Sequence, residues 1–193
     1  MNIKNLLFAA AACYLIPLGS FAQTNVYDDI IAISPNHTYL KAALDQEGLD
    51  AALVQNPNVT VFAPTNDAFD ALAADLNTDI AGLLALSNLS DILTYHVLTS
   101  TVPASAVSNG AIVNPIFTGN SIKMTVTSNS EIFANHAFVS GADLFADNGV
   151  VHSIDDVLLS DATVVDVALD NGFSTLATAV IPAEILPALT DPF

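Results

Sequence analysis

The sequence has 193 residues and a formal net charge of −17, because 20 acidic side chains are opposed by only three lysines and no arginine. Nucleic-acid binding through clustered basic side chains is excluded by this balance, and a disulfide framework is excluded by the presence of one cysteine. The apolar fraction of 52% is too high for a disordered acidic chain, so the composition predicts a globular domain.

Residues 1–22 have the pattern of a secretory signal peptide. Lys4 supplies the positive charge, residues 6–18 form an apolar stretch, and Ala22 precedes the expected cleavage site. Two alternatives are a lipoprotein signal acylated at Cys13 and a retained anchor, although the apolar run is shorter than the ~20 residues of a spanning helix. Cleavage after Ala22 predicts a secreted or cell-surface protein, and loss of Lys4 changes the formal charge from −17 to −18.

The first half of the remaining chain is predicted to be rich in helices. In residues 26–54 and 88–98, apolar side chains recur at spacings of three, four and seven, as on one face of a helix. The β-branched run 59–63 between them predicts a short strand. Either Thr65 or Asn66 can then cap the helix that follows, because both side chains accept hydrogen bonds from free backbone N–H groups.

After Pro103 the pattern changes to short apolar runs separated by Asn, Gly and Ser, which is typical of strands joined by turns. These runs are residues 122–126, 132–133, 137–139, 150–154 and 157–159. A helix-rich first half followed by a strand-rich second half predicts an α+β domain rather than an alternating α/β sheet.

The C-terminal residues 161–193 repeat the beginning of the predicted domain. Residues 26–28 correspond to residues 164–166, and residues 38–40 correspond to residues 174–176. A repeat at one domain length predicts a tandem array. The expected organisation is a signal peptide over 1–22, a complete domain over 23–160 and the helical beginning of a second, truncated domain over 161–193.

Three motifs resemble the fasciclin-type (FAS1) domain family. They are TVFAPTNDAF at residues 60–69, the Tyr95-His96 pair, and NGVVHSIDDVLL at residues 148–159. The resemblance covers about residues 26–160 and implies a wedge-shaped β-sandwich with helices packed along it. It also implies an extracellular or cell-surface adhesion and matrix module without catalytic activity.

The resemblance further points to a binding segment around the Tyr95-His96 pair. In animal members of the family this pair and its aliphatic neighbours are implicated in integrin binding. The bacterial-style signal peptide favours instead a polysaccharide, a neighbouring cell or another surface protein, with no nucleic acid and no membrane insertion after signal cleavage. The candidate binding residues are Ile92, Leu93, Tyr95, His96, Val97 and Leu98.

Helical geometry predicts different environments for the two residues of the pair. His96 lies on the apolar face, where a buried histidine bonded to the Pro64-Thr65 turn needs no binding function. Tyr95 points about 100° away from it. We therefore expect an exposed Tyr95 hydroxyl that is available for recognition, or else an amphipathic ring at the edge of the core.

No motif predicts an enzyme, a metal site or a bound cofactor. His37 and His136 are expected in loops and His152 in or beside the core, and no close histidine pair indicates zinc. The sequence has no G-x-S-x-G elbow to support a hydrolase, and Asp143 and Asp147 have poor spacing for calcium. The alternative to adhesion is a pigment or lipid held between the helices and the sandwich, because some members of the resembling family bind carotenoids.

Overall fold

The computed structural model describes residues 23–160, in which a helical half is followed by a strand half. The first half contains a π-helix at Tyr27–Ile31, α1 at Thr38–Glu47, α2 at Asp50–Gln55, β1 at Val59–Pro64, α3 at Asn66–Asp75, α4 at Ile80–Leu84 and α5 at Leu89–Tyr95. The second half contains β2 at Val97–Leu98, a 3-10 helix at Ala104–Ala106, β3 at Ile112–Val113, β4 at Ile122–Val126, β5 at Ile132–Ala134, β6 at Ala137–Ala146 and β7 at Gly149–Ile154. The predicted α+β class is confirmed.

Residues 1–22 and 161–193 lie outside the described residues. The secretory signal with cleavage after Ala22 and the truncated second domain therefore stay predictions. Within residues 23–160, no helix combines the length and the apolar character needed to cross a membrane.

The two capping candidates after β1 serve different helices. Thr65 precedes α3, and its Oγ1 accepts a hydrogen bond from the Ala68 N–H at 3.3 Å. Asn66 instead reaches back to α1, where its Oδ1 accepts from the backbone N–H of Tyr39 at 3.1 Å. The turn after β1 thus caps the helix that follows it and also a helix that precedes it.

The predicted helix over residues 88–98 is shorter than its apolar pattern indicates. α5 ends at Tyr95, and Val97–Leu98 forms β2. β2 pairs antiparallel with β1, where Val97 faces Val61. An apolar residue in a short strand and one in a helix turn satisfy the same pattern, so periodicity alone does not locate this boundary.

β1 and β7 form the centre of a seven-stranded sheet with the order β2-β1-β7-β6-β5-β4-β3. These two strands are parallel to each other, whereas every other pair of adjacent strands in this order is antiparallel. Both strands are buried along their whole length. Val61 and Val151 pack against the helices, and Phe62 and Ile154 pack on the opposite face against β4 to β6. Burial of both faces explains why these two strands have nearly continuous apolar sequences.

β6 curves the sheet over the second face of β1 and β7. Its pairing with β7 shifts register between Val139 and Gly141 and again between Gly141 and Leu144. Such irregularities bend a strand and increase its twist. Ala137 and Phe138 at the start of β6 pair with β5, whereas β6 pairs with β7 from Val139 to Ala146. A second core lies between the strand layers.

Candidate functional site

The predicted binding segment lies beneath the surface, where α5 passes into β2. The exposed fractions of its six candidate residues range from 1% to 5%. Ile92, Leu93 and Val97 belong to the helix-side core, whereas Tyr95 and Leu98 belong to the core between the strand layers. In this conformation the segment joins the two cores, and its binding role stays a prediction.

Tyr95 is buried, so the expectation of an exposed hydroxyl is wrong. The hydroxyl donates to the Ser121 carbonyl oxygen at 3.0 Å and accepts from Asn135 Nδ2 at 3.1 Å. The ring also makes an edge-to-face contact with Phe117, with 6.3 Å between the centroids. The strand layer therefore covers the face of α5 that the helical pattern assigns to solvent.

His96 is buried as predicted, but its hydrogen-bond partners differ from the expected ones. Nε2 accepts from the Leu158 N–H at 2.9 Å, so Nδ1 carries the proton and donates to the Ile92 carbonyl oxygen at 2.7 Å. Burial lowers the pKa of His96 from 6.5 to about 4. The neutral ring thus joins α5 to the segment that follows β7, rather than to the Pro64-Thr65 turn.

Two further histidines also have structural positions. His37 lies in a loop as predicted, but it is buried, and its Nε2 lies 3.1 Å from Ser153 Oγ in β7. Burial lowers the pKa of His37. His152 accepts from the Asp143 N–H through Nδ1 at 3.2 Å and donates to the Val102 carbonyl oxygen through Nε2 at 2.9 Å. These contacts hold His37, the segment at Val102 and strand β6 against the central strand β7.

The acidic residues considered for calcium take part in backbone capping. Asp143 Oδ1 accepts from the Ala104 N–H at 2.8 Å, and Asp147 Oδ2 accepts from the Thr24 N–H at 2.8 Å. Across residues 23–160, no group of three or more His, Cys, Asp or Glu side chains is arranged to hold a metal ion. The described residues therefore offer no candidate metal centre.

The apolar cavities are small in this conformation. A groove of about 30 Å³ lies between the helices and the sheet and is lined in part by Leu44, Leu53 and Val97. A second cavity of about 10 Å³ lies between the strand layers beside Phe62 and Met124. Ordinary small-ligand sites occupy roughly 300–1,000 Å³. A pigment or lipid therefore requires the layers to separate.

A polar cleft of about 250 Å³ opens where the start of the described chain meets the end of α2 and the β6–β7 turn. We call it the amide cleft, because amide side chains predominate in its lining; its polar residues include Gln23, Gln55, Asn56, Asp147 and Asn148. Sequence reasoning missed this site. The Asn148-Gly149 turn was recognisable, but no local pattern links it to residues 92 or more positions earlier.

Reciprocal hydrogen bonds hold one wall of the amide cleft in place. The Thr24 N–H donates to Asp147 Oδ2, and the Asp147 N–H donates to Thr24 Oγ1 at 3.1 Å. Asn148 Oδ1 accepts from the Val26 N–H at 2.9 Å. The start of the described chain is thereby fixed to the β6–β7 turn.

This arrangement of helices, central parallel strands and curved antiparallel layer is that of a FAS1 domain. The model of the Fasciclin domain family matches residues 35–160. The chain belongs to the fasciclin domain family.

Individual relatives agree with this assignment. The chain is similar to Protein sll1483 of Synechocystis sp., with 37% identity over 134 residues that cover 68% of this chain and 71% of that protein. It is also 29% identical over 154 residues to the transforming growth factor-beta-induced protein ig-h3 of Sus scrofa; this match covers 79% of the present chain and only 22% of ig-h3.

A solved structure shares the fold. It is a FAS1 domain pair from the insect cell adhesion molecule Fasciclin I. The similarity has a TM-score of 0.59 at 17% sequence identity and covers 69% of this chain and 50% of that one.

Proposed function

We propose that this chain is a non-catalytic adhesion module that acts outside the cell and binds a protein or a polysaccharide on a neighbouring surface. The observation that carries the proposal is the match to the fasciclin domain family over residues 35–160. Fasciclin I, which shares the fold, is an insect cell adhesion molecule. Export through a signal peptide over residues 1–22 belongs to the same proposal.

The buried histidines support a non-catalytic role. A general base needs a nitrogen within hydrogen-bond reach of the proton that it removes from the substrate. His96 and His152 instead use both ring nitrogens for hydrogen bonds to backbone groups within the domain. His37 lies between two serine hydroxyls in the interior. The ring nitrogens of these three histidines are therefore occupied by hydrogen bonds within the domain.

The charge distribution limits the class of partner. Within residues 23–160, Lys41 Nζ lies 2.5 Å from Asp45 Oδ2, which leaves Lys123 as the one lysine without a carboxylate partner. A surface with this excess of carboxylates repels anionic polymers within a Debye length of about 8 Å at physiological salt. Neutral or basic surfaces are therefore the favoured partners.

The segment around Tyr95 supports the exposed loop that contains Ile116 and Phe117. The Ile116 N–H donates to the Val97 carbonyl oxygen at 2.8 Å, and the Phe117 N–H donates to the Thr94 carbonyl oxygen at 3.3 Å. Ile116 is 42% exposed. The buried residues thus position Ile116 and contribute to binding without touching the partner; they are Ile92, Leu93, Tyr95, His96, Val97 and Leu98.

Adhesion is tested by adding the fluorescently labelled chain to cells of the producing organism and to their isolated cell-wall polysaccharide. We expect saturable binding in flow cytometry that exceeds the binding of an acidic protein of unrelated fold at least tenfold. Binding no stronger than that control contradicts the proposal. Turnover of generic ester substrates by the purified chain contradicts its non-catalytic part.

A pair of matched variants tests the role of the loop. Ile116→Ser removes an apolar side chain above the segment, whereas Ile112→Ser removes one that is 56% exposed on β3. We expect at least threefold weaker cell binding for Ile116→Ser and unchanged binding for Ile112→Ser. Equal binding by the two variants contradicts a role for the segment around Tyr95.

A further inference from the structure

We propose that the amide cleft is a binding site for a neutral carbohydrate, in addition to the contact surface around Ile116. This inference rests on the proposed adhesion function, and it specifies both the site and the ligand class. The cleft combines unused amide groups, a preorganised wall and a negatively charged surround, and each of these features restricts the ligand chemistry in a different way.

The first feature is the hydrogen-bonding capacity that the cleft leaves unused. Gln55 has an exposed side-chain amide without a hydrogen-bond partner in the described part of the chain. Asn56 uses its Nδ2 to bond the Ala52 carbonyl oxygen, which leaves Oδ1 as an acceptor. An amide both donates and accepts hydrogen bonds. Adjacent sugar hydroxyls present the same combination, so the two groups are complementary.

The second feature is the rigidity of the wall. Asn148 Nδ2 donates to the carbonyl oxygens of Leu53 at 2.7 Å and Asn56 at 3.2 Å, and its Oδ1 accepts from Val26. These contacts join α2, the start of the described chain and the β6–β7 turn before any ligand arrives. A prepared wall reduces the entropy that binding must remove. Gln55, the last residue of α2, therefore lies on an element that is already held in place.

The third feature is the charge around the cleft. Asp147 has the one ionisable side chain in its lining. Asp28 and Asp29 lie close by, because Asn25 Nδ2 donates to Asp28 Oδ2 and the Asn25 N–H donates to Asp29 Oδ2. These carboxylates disfavour uronate, sulfate and phosphate groups, whereas an uncharged sugar does not meet this repulsion.

Shape and apolar surface agree with this ligand class. The volume of about 250 Å³ lies just below the range of roughly 300–1,000 Å³ for small-ligand sites. It suits one or two sugar units of a longer chain that continues into solvent. Val54 is 39% exposed at the cleft and offers an apolar surface for the C–H face of a sugar ring.

The site is tested by NMR titration of the ¹⁵N-labelled chain with soluble hexasaccharides of glucose, mannose and galactose and with an oligogalacturonate. At least one neutral probe is expected to cause saturable shifts at Gln55, Asn56 and Asn148. The acidic probe is expected to bind more weakly than that neutral probe. Absence of saturable shifts with every neutral probe, or tighter binding of oligogalacturonate, overturns the inference.

Matched variants locate the ligand. Gln55→Ala removes one amide of the cleft, and we expect a roughly fivefold higher Kd because one hydrogen bond is lost. Asn129→Ala removes an exposed amide in the β4–β5 turn and is expected to leave the Kd unchanged. Equal Kd values for the original chain and Gln55→Ala overturn the site. Cell binding that survives Gln55→Ala together with such values overturns the cleft but leaves the adhesion role intact.

Discussion

The α5–β2 segment and the amide cleft use their polar groups in opposite ways. In the segment, the Tyr95 hydroxyl and both ring nitrogens of His96 have partners inside the domain. In the cleft, the side-chain amide of Gln55 has no partner within residues 23–160. The motif that is most recognisable in the sequence therefore joins the two cores, while residues without a motif present the free hydrogen-bonding groups.

The largest expected effect follows from truncating Tyr95. Tyr95→Ala removes a buried ring between two layers and leaves Ser121 and Asn135 without their hydroxyl partner. We expect the free energy of unfolding to fall by about 4 kcal/mol, measured by chemical denaturation.

Tyr95→Phe serves as the control for this truncation because it keeps the ring. We expect its stability to lie between those of the original chain and Tyr95→Ala, and its cell binding to be unchanged under conditions where it is folded. A folded Tyr95→Phe that no longer binds would instead assign the hydroxyl a direct role in recognition.

A somewhat smaller effect is expected at Gly149, the buried first residue of β7, which follows Asn148 of the cleft. A Cβ at this position would overlap the Val59 carbonyl oxygen, because β7 runs close beside β1 here. Gly149→Ala should lower the free energy of unfolding by about 3 kcal/mol. Gly141→Ala is the matched control, because its Cβ would contact Ser153 Cβ at an ordinary 3.4 Å. Equal loss of stability in the two variants would contradict the close approach.

The smallest effect concerns the pH dependence of the segment. Because burial lowers the pKa of His96 from 6.5 to about 4, the unfolded chain takes up a proton before the folded chain does. The contribution of His96 to stability is thus complete above pH 6.5 and is lost as the pH falls towards 4. Between pH 7 and pH 5 this loss amounts to about 2 kcal/mol.

Denaturation of the original chain and of His96→Gln at both pH values isolates this contribution. The variant should lose less stability on acidification, and its remaining slope should come from His37, whose pKa is also lowered by burial, and from carboxylates. The same slope in both proteins would show that the His96 ring titrates normally.

Local sequence signals predicted many of the helices and strands, and they predicted the environment of one residue of the Tyr95-His96 pair. They predicted a strand that runs into the capped helix α3, and they predicted the burial of His96. They missed α4, and they did not distinguish the last turn of α5 from β2, because two apolar residues fit either element. Asn66 caps α1 from 27 residues further along the chain, which no helix-capping pattern specifies.

Local signals could not predict the amide cleft either, because its walls come from residues that are far apart in the sequence. Asp147 and Thr24 are 123 residues apart in the sequence, yet they exchange two hydrogen bonds. Gln55 lies at the end of a six-residue helix and has no distinguishing neighbours. Gln55 becomes part of a cleft because Asn148 in the β6–β7 turn bonds the carbonyl oxygens of Leu53 and Asn56 on either side of it.

The sequence by itself determined the acidic charge, the order of helices before strands and the motifs of the fasciclin domain, since these depend on composition and short-range periodicity. Only the tertiary structure decided which side of α5 meets solvent. One side packs on the helix-side core and the other on the strand layer curved by β6, so Tyr95 is enclosed. Whether a side chain is buried depends on the element that packs against it as well as on its own helix. The apolar pattern of α5 describes only α5 and not the strand layer that covers it.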